Sequence, residues 1–222
     1  MKYHSAFDII GPIMVGPSSS HTAGAVRIGN IARQVLGEEP VHVTFHLMGS
    51  FAETYRGHGT DLALLAGVLG LTTESEQVPD ADRIAAASGL TYGFSQANLG
   101  WFHPNTVEVL LKSKQHSIQL IASSLGGGKV EVQELDGLPV KFSGEKPTLI
   151  LYHIDQRGFI SMISRLLDAN GYNIARLALE RSRRKGAAIT VCEVDEELTD
   201  DLIASLATTI PMLKTIRVVK TF

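Results

Sequence analysis

The chain has 222 residues, a formal net charge of −3, and 44% hydrophobic against 19% charged residues. This composition is globular, and the weak negative charge argues against nucleic acid or an anionic membrane surface as a partner. The first residues lack the apolar core of a signal peptide, and no apolar run approaches the ~18 residues of a membrane span, so we expect a cytoplasmic protein. The only cysteine, Cys192, leaves no internal disulfide and no all-cysteine metal site in this chain.

The first part of the chain predicts an α+β domain of limited periodicity. Apolar spacing predicts a helix over 18–36, and a buried helix over 61–69 with Thr60 as its N-cap. A further short helix is predicted over 82–87. Strands are predicted over 41–48, 106–111, 117–123 and 129–135.

The second part begins after a turn-rich stretch, 137–147, which ends at Pro147 and predicts a domain boundary. Strand and helix patterns then alternate in the order β-α-β-β-α-β, which is the ferredoxin-like arrangement. Gly171 is expected to end the first helix, and Thr199 to cap the second. The predicted domains are therefore 1–146 and 148–222.

A hydroxyl-rich segment, 16–24, lies where a turn leads into the first helix. Free N–H groups and the positive end of the helix dipole make such a position suitable for a carboxylate. N-capping would explain one serine, and three successive serines beside a histidine favour an anion site. Its side chains are Ser18, Ser19, Ser20, His21 and Thr22.

A second candidate is His58, which lies between Gly57 and Gly59 just before the helix at Thr60. Glycines let a small ligand approach the backbone closely, and an imidazole is a natural proton acceptor near neutral pH. The alternative is a surface-loop histidine without a role, and the paired glycines favour a function.

The third candidate combines 103–106 with the segment 123–129, which contains the triple glycine 126–128. Three glycines after a strand fit either a backbone cradle for a carboxylate or phosphate, or a flexible hairpin turn. Spacing alone leaves these two interpretations open. The chain has no Walker loop, and its glycine spacing does not fit a dinucleotide-binding fingerprint.

The second domain resembles the ACT domain, a regulatory module of amino-acid enzymes. The resemblance rests on the segments 155–158 and 171–174. In that family, these two places line an amino-acid effector site between paired modules, so self-association through this domain is implied. The alternative is that the glycines only form a turn and a cap. The implied effector-binding residues are Asp155, Gly158, Asn173 and Ile174.

The whole chain resembles the β chains of bacterial iron–sulfur L-serine dehydratases. Segments 16–24, 49–54 and 57–61 carry this resemblance, together with 103–106 and 126–128. It implies conversion of L-serine to pyruvate and ammonia without pyridoxal phosphate. It also implies a [4Fe–4S] cluster that is ligated by cysteines of a partner α chain, so that this chain supplies no metal ligand. In the family, a Lewis-acidic iron coordinates the substrate hydroxyl.

The same resemblance implies the roles of individual residues. His58 is the expected base for the α-proton, with His21 as the alternative base or a hydrogen-bonding neighbour. The hydroxyls of the first cluster would hold the substrate carboxylate and amine, and Asp61 could orient His58. The implied substrate-binding residues are Ser18, Ser19, Ser20, Thr22, Asp61, Asn105, Gly126, Gly127 and Gly128.

Three other functions compete with this one. The chain also resembles the sensing and ACT domains appended to some phosphoglycerate dehydrogenases, which predicts a non-catalytic amino-acid-sensing subunit. A pyridoxal-phosphate dehydratase would use the triple glycine as a phosphate cradle, but it needs a larger fold. A general ACT regulator without catalysis leaves the setting of His58 unexplained. The stoichiometry and the sign of any serine effect do not follow from the sequence.

Overall fold

The structure of the chain is a computed structural model that describes residues 11–98 and 100–222. The chain divides into two compact units, the first ending at Asp136 and the second running from Gly137 to Phe222. This division lies before the boundary predicted between residues 146 and 148. Two separate sheets are present, and the predicted α+β class is confirmed. Among the described residues, no helix combines the length and apolar character that a membrane crossing requires.

The first unit alternates short helices and strands. A π-helical turn, Ser19–Ala23, leads directly into the first α-helix, and a 3-10 turn, Val78–Asp80, precedes the fourth. The helices are α1 (Gly24–Leu36), α2 (Gly49–Thr54), α3 (Thr60–Val68) and α4 (Ala81–Ser88). The strands are β1 (His42–Met48), β2 (Thr91–Gln96), β3 (Thr106–Lys112), β4 (Ser117–Gly126) and β5 (Lys129–Leu135).

The strands of the first unit pair in the order β2-β1-β3-β4-β5, and a short strand, β6 (Leu138–Phe142), begins the second unit. β1 runs parallel to β2 and antiparallel to β3. In this register Met48, the last residue of β1, pairs with Thr106, the first residue of β3. The loop before β3 therefore lies beside the start of α2.

Helices α1 and α3 pack against each other through two glycines. A Cβ atom on Gly29 would lie 2.4 Å from the Leu64 carbonyl oxygen, and one on Gly67 would lie 2.1 Å from the Val26 carbonyl oxygen. No side chain separates the two backbones at this point, and α3 is buried over most of its length. Helix α3 also contacts the π-helical turn that precedes α1.

Several local expectations need correction. Thr60 does not cap α3: the N-cap is Gly59 in the left-handed region, and the Thr60 hydroxyl is buried without a hydrogen-bond partner in the described structure. Part of the stretch interpreted as a turn-rich boundary is strand β6. Helix α2 and strand β2 were not predicted, because both are short and β2 is largely exposed.

The second unit has the predicted β-α-β-β-α-β order. Its strands are β7 (Thr148–Ile154), β8 (Ile174–Arg181), β9 (Ala187–Val194) and β10 (Leu213–Val219), and its helices are α5 (Phe159–Ala169) and α6 (Asp200–Thr209). They form an antiparallel sheet in the order β10-β7-β9-β8. This is the ferredoxin-like arrangement.

The core of the second unit lies between this sheet and its two helices. Phe159, Ile163 and Leu167 of α5 pack against Leu149 of β7 and Cys192 of β9. The Thr199 hydroxyl accepts a hydrogen bond from the Leu202 N–H, so the predicted cap of α6 is confirmed. Gly171 has a φ of 79° and follows α5, which is the left-handed conformation expected after a helix end.

Candidate functional site

The serine-rich segment forms the π-helical turn that opens α1. The Ser18 hydroxyl accepts a hydrogen bond from the His21 N–H at 3.2 Å. The Ser18 carbonyl oxygen accepts from the N–H groups of Thr22 and Ala23. A π-helical turn is wider than an α-helical turn and is found often at functional sites. Here it places three serines, all partly exposed, at the positive end of a long helical segment.

His21 connects this turn to the residues that follow β1. Its Nε2 lies 3.2 Å from the Ser50 hydroxyl, and its ring packs edge-on against Phe51 at a centroid distance of 5.3 Å. Burial lowers the pKa of His21 below 6.5, and the nearby His58 lowers it further. His21 is therefore uncharged at pH 7. The sequence interpretation gave no role to Ser50, although it lies in a segment that carries the family resemblance.

His58 lies in the turn between α2 and α3, and its side chain is exposed. Its ring centroid is 5.0 Å from that of His21. The Nδ1 of His58 lies 3.3 Å from the Thr54 carbonyl oxygen, and since a carbonyl only accepts, Nδ1 carries the proton. In the neutral imidazole with this tautomer, Nε2 carries the lone pair. Gly59 adopts a φ of 66°, so this glycine serves the turn that holds His58 outward.

The triple glycine forms the hairpin turn between β4 and β5, with φ values of 95°, 61° and 75° for Gly126, Gly127 and Gly128. The second and third of these form a two-residue turn of the type that positive φ values allow. Arg27 of α1 donates from Nη1 to the Gly128 carbonyl oxygen at 2.7 Å. The hairpin interpretation of the sequence is confirmed, and the turn lies next to α1.

Ser124 joins three of the predicted segments. Its hydroxyl donates to the Ser20 carbonyl oxygen at 2.9 Å, and its N–H donates to the Asn105 carbonyl oxygen at 2.9 Å. A Cβ atom on Gly24 would lie 2.1 Å from the Ser124 hydroxyl oxygen. The helix start can therefore approach β4 this closely only because residue 24 is a glycine.

The loop before β3 is held to the same region. Asn105 donates from its N–H to His103 Nδ1 at 3.2 Å. A Cβ atom on Gly49 would lie 2.6 Å from the Pro104 carbonyl oxygen, so this loop lies directly against the start of α2. The structure thus brings together the segments 18–21, 49–58, 103–106 and 124–128.

Two predicted site residues lie elsewhere or point inward. Thr22 is buried, its hydroxyl has no hydrogen-bond partner in the described structure, and its side chain packs against Gly16. The Asp61 carboxylate accepts a hydrogen bond from the Leu62 N–H and lines a separate cavity with Tyr55. Among the described residues, no hydrogen bond or ion pair joins this carboxylate to His58.

In the second unit, the predicted effector residues take part in two separate networks. The Asp155 carboxylate accepts from Arg181 Nη1 at 2.7 Å and from the Lys185 N–H at 3.0 Å. Asn173 donates from its amide nitrogen to Asp195 at 2.5 Å. Gly158 is the N-cap of α5, with a φ of 91°, and Ile174 is the first residue of β8.

The side chains of this protein do not fit the ligand set of an iron–sulfur cluster. Cys192 is fully buried in the core of the second unit, and burial raises the pKa of its thiol to about 12. Cluster ligation requires accessible thiolates. Within residues 11–98 and 100–222, no three His, Cys, Asp or Glu side chains group as metal ligands.

Comparison with known proteins shows the family. The family described as "Serine dehydratase beta chain" matches residues 5–91. The chain is 40% identical to the "Probable L-serine dehydratase, beta chain" of Bacillus subtilis (strain 168), covering 93% of this chain and 94% of that protein. It is 39% identical to the "L-serine dehydratase, beta chain" of Peptoniphilus asaccharolyticus, with the same coverage of each.

A more distant similarity connects the chain to a different enzyme. It is 22% identical to the D-3-phosphoglycerate dehydrogenase of Bacillus subtilis (strain 168), over 88% of this chain and 37% of that protein. The two β-chain relatives are nearly twice as similar and match almost end to end. The chain belongs to the serine dehydratase β-chain family.

Proposed function

We propose that this chain is the β subunit of a cytoplasmic L-serine dehydratase, which converts L-serine to pyruvate and ammonia together with a cysteine-bearing α chain. The single observation that carries the proposal is the pair His21 and His58, 5.0 Å apart, beside the serine-rich start of α1. The family assignment supplies the substrate, because the matched β chains are named for L-serine.

The elimination begins with removal of a weakly acidic α-proton, and His58 is the proposed base. Its side chain is exposed, and the bond from Nδ1 to the Thr54 carbonyl oxygen leaves Nε2 as the proton acceptor. His21 is held by Ser50 and is neutral at pH 7, so it serves as a hydrogen-bonding neighbour. Loss of water then leaves an enamine, which hydrolyses through the imine to pyruvate and ammonia.

The proposed site for the substrate carboxylate is the π-helical turn. Ser18, Ser19 and Ser20 are partly exposed at the start of a continuous helical segment. Its positive end and free N–H groups favour an anion. The loop at Asn105 and the glycine turn 126–128 lie around this position. We assign the substrate amine to the same group of side chains. Thr22 is not included, because its side chain is buried and packs in the interior.

A partner is required by the proposal because the cofactor of the reaction is a [4Fe–4S] cluster and this chain lacks the thiolates to hold one. The buried thiol of Cys192 does not fit that role. The proposed cluster is therefore ligated by cysteines of the α chain, and the proposed active site is complete only when both chains are bound to each other.

The second unit is proposed to be an ACT domain that pairs with a second copy and binds an amino-acid effector. The ferredoxin-like strand order supports this proposal. The effector would lie between Asp155 and Gly158 of one copy and Asn173 and Ile174 of the other.

Anaerobic co-expression with a cysteine-bearing α chain, followed by pyruvate assays on L-serine and D-serine, tests the proposal. The complex should form pyruvate from L-serine, and either chain alone should form none. Pyruvate formed by the iron-free chain alone would overturn the proposal.

A non-catalytic sensing subunit is the second candidate, because the distant dehydrogenase match also spans most of the chain. The same co-expression separates the two. A sensing subunit would bind serine yet add no pyruvate formation to any α chain.

A further inference from the structure

A basic cavity of about 620 Å³ lies at one end of the second unit. It is formed by the loop after β7 and by the turn between β8 and β9. Volumes of this size accommodate small-molecule ligands. The residues that line it and enter the argument are Ile154, Asp155, Arg157, Arg181, Arg184 and Lys185.

Asp155 supplies the one carboxylate among the residues that line the cavity, and this carboxylate already accepts two hydrogen bonds. Asp155 accepts hydrogen bonds from Arg181 Nη1 and from the Lys185 N–H through the same oxygen, Oδ2. The Lys185 N–H and the Arg181 guanidinium hold the pKa of Asp155 below its usual range. Asp155 and Arg181 therefore neutralise each other, and Asp155 orders the turn.

Three further cations remain after this pairing. The side chains of Arg157, Arg184 and Lys185 have no acidic partner among the residues that the structure describes. All three are exposed. In a chain whose net charge is −3, an uncompensated group of three cations around one cavity is a local excess that a multivalent anion would balance.

The backbone adds to this preference. Helix α5 begins at Phe159, two residues after Arg157, so the positive end of its dipole lies at the same loop. Lys185 adopts a φ of 62°, a strained conformation for a residue with a side chain. This conformation is the one in which its N–H bonds to Asp155.

We propose that this cavity binds a phosphate-bearing small molecule. Guanidinium groups match phosphate oxygens in a two-pronged geometry, and a dianion satisfies more than one of the three cations. An amino acid is a poorer fit within one copy, because its ammonium group would face the three cations there. The amino-acid effector proposed above needs Asn173 and Ile174 of a second copy as well. Ile154, which is 37% exposed, offers an apolar wall for the rest of the molecule. The inference does not depend on the serine dehydratase proposal.

Calorimetric titration of the full chain with inorganic pyrophosphate and with ADP tests the inference. We expect binding at one site per chain, weakened about tenfold or more by Arg157→Gln and by Arg184→Gln. Arg183→Gln is the matched control. It removes one exposed charge from the same turn, but Arg183 does not line the cavity, so its affinity should stay within about twofold.

Hydrogen exchange with and without pyrophosphate locates the site. Protection should be confined to residues 154–160 and 181–187. Three results would overturn the inference: absence of binding by both probes, an equal loss of affinity in Arg183→Gln, or full displacement of pyrophosphate by L-serine. Binding of an acidic peptide with no binding of pyrophosphate would also overturn it, because the surface would then serve a protein partner.

Discussion

The rings of His21 and His58 lie 5.0 Å apart at the centroids, and their planes are inclined by 35°. One ring is half-buried against Phe51 and the other is exposed. Two imidazoles this close repel each other when both are charged, and the buried one is also desolvated. The pair therefore combines a histidine that stays neutral at pH 7 with a histidine that is exposed to solvent.

The coupling between the two rings predicts a titration change. Burial is the larger cause of the lowered pKa of His21 and the charge of His58 the smaller cause. In His58→Ala, the pKa of His21 should rise but remain below 6.5. Titration of the imidazole Cε1 proton by NMR measures this shift. An unchanged or lower pKa would contradict the coupling, and His116→Ala, which removes a histidine bonded to Glu38, should leave His21 unaffected.

The base assignment predicts a catalytic loss. In the proposed complex with an α chain, His58→Ala should lower kcat by about 10²–10⁴, the usual contribution of a positioned proton acceptor. The absorbance of the proposed iron–sulfur cluster should stay intact, since the proposal assigns its ligands to the α chain. His116→Ala serves again as the control with one surface imidazole removed. Near-normal turnover of His58→Ala would remove His58 from the role of base.

Local signals predicted most of the second unit. The predicted β-α-β-β-α-β order and the predicted Thr199 cap of α6 are both observed. Asp136 and Gly137 adopt positive φ values of 51° and 75°, and an Asp-Gly pair is a frequent two-residue turn sequence. The proline and glycines of this stretch are typical of linkers, and for this reason the sequence predicts a boundary there.

The candidate site could be predicted only in part, because its assembly depends on distant contacts. The sequence identifies the hydroxyl and histidine segments only as separate motifs. The bond between His21 and Ser50 joins residues 29 positions apart, and the bond from Ser124 to Ser20 spans 104 positions. No local periodicity encodes such pairings. The same reason explains Thr60, whose hydroxyl resembles a cap in sequence but is buried by tertiary packing.

The contact between α1 and α3 predicts a stability difference between two glycines. Gly29→Ala would place a Cβ atom 2.4 Å from the Leu64 carbonyl oxygen. The helices must then separate, which should cost about 1–3 kcal/mol of unfolding free energy. Gly93→Ala is the control, because an added Cβ there meets nothing within 4 Å. Urea unfolding of both variants measures the difference, and equal stabilities would contradict the close packing.

The burial of the His153 imidazole predicts that the unfolding free energy of the second unit depends on pH. It is 2% exposed, stacks on Phe159, and bonds to the Ile154 carbonyl oxygen and the Thr190 hydroxyl. Burial lowers its pKa in the folded chain. The unfolded chain therefore binds the proton first as the pH falls. Stability should be full above about pH 6.5 and should decline as the pH falls from there towards the folded pKa.

The slope of that decline for one proton is at most about 1.4 kcal/mol per pH unit. His153→Gln, which does not titrate, should show a shallower decline between pH 7 and pH 5 when unfolding by urea is followed. If the variant and the unchanged chain declined with the same slope, other histidines would account for the effect.

The burial of Cys192, the only cysteine of the chain, predicts that the proposed cluster does not use this thiol as a ligand. Its side chain is fully buried, and its thiol pKa of about 12 leaves almost no thiolate at pH 8. The folded chain should therefore not react with a disulfide reagent at pH 8, and it should react once unfolded in urea. Cys192→Ala should lower the unfolding free energy by about 1 kcal/mol, through a small cavity in the core, yet leave the iron content and turnover of the αβ complex unchanged. A loss of iron in that variant, with the complex still assembled, would place a cluster ligand on this chain and would contradict the proposed division of the active site between the two chains.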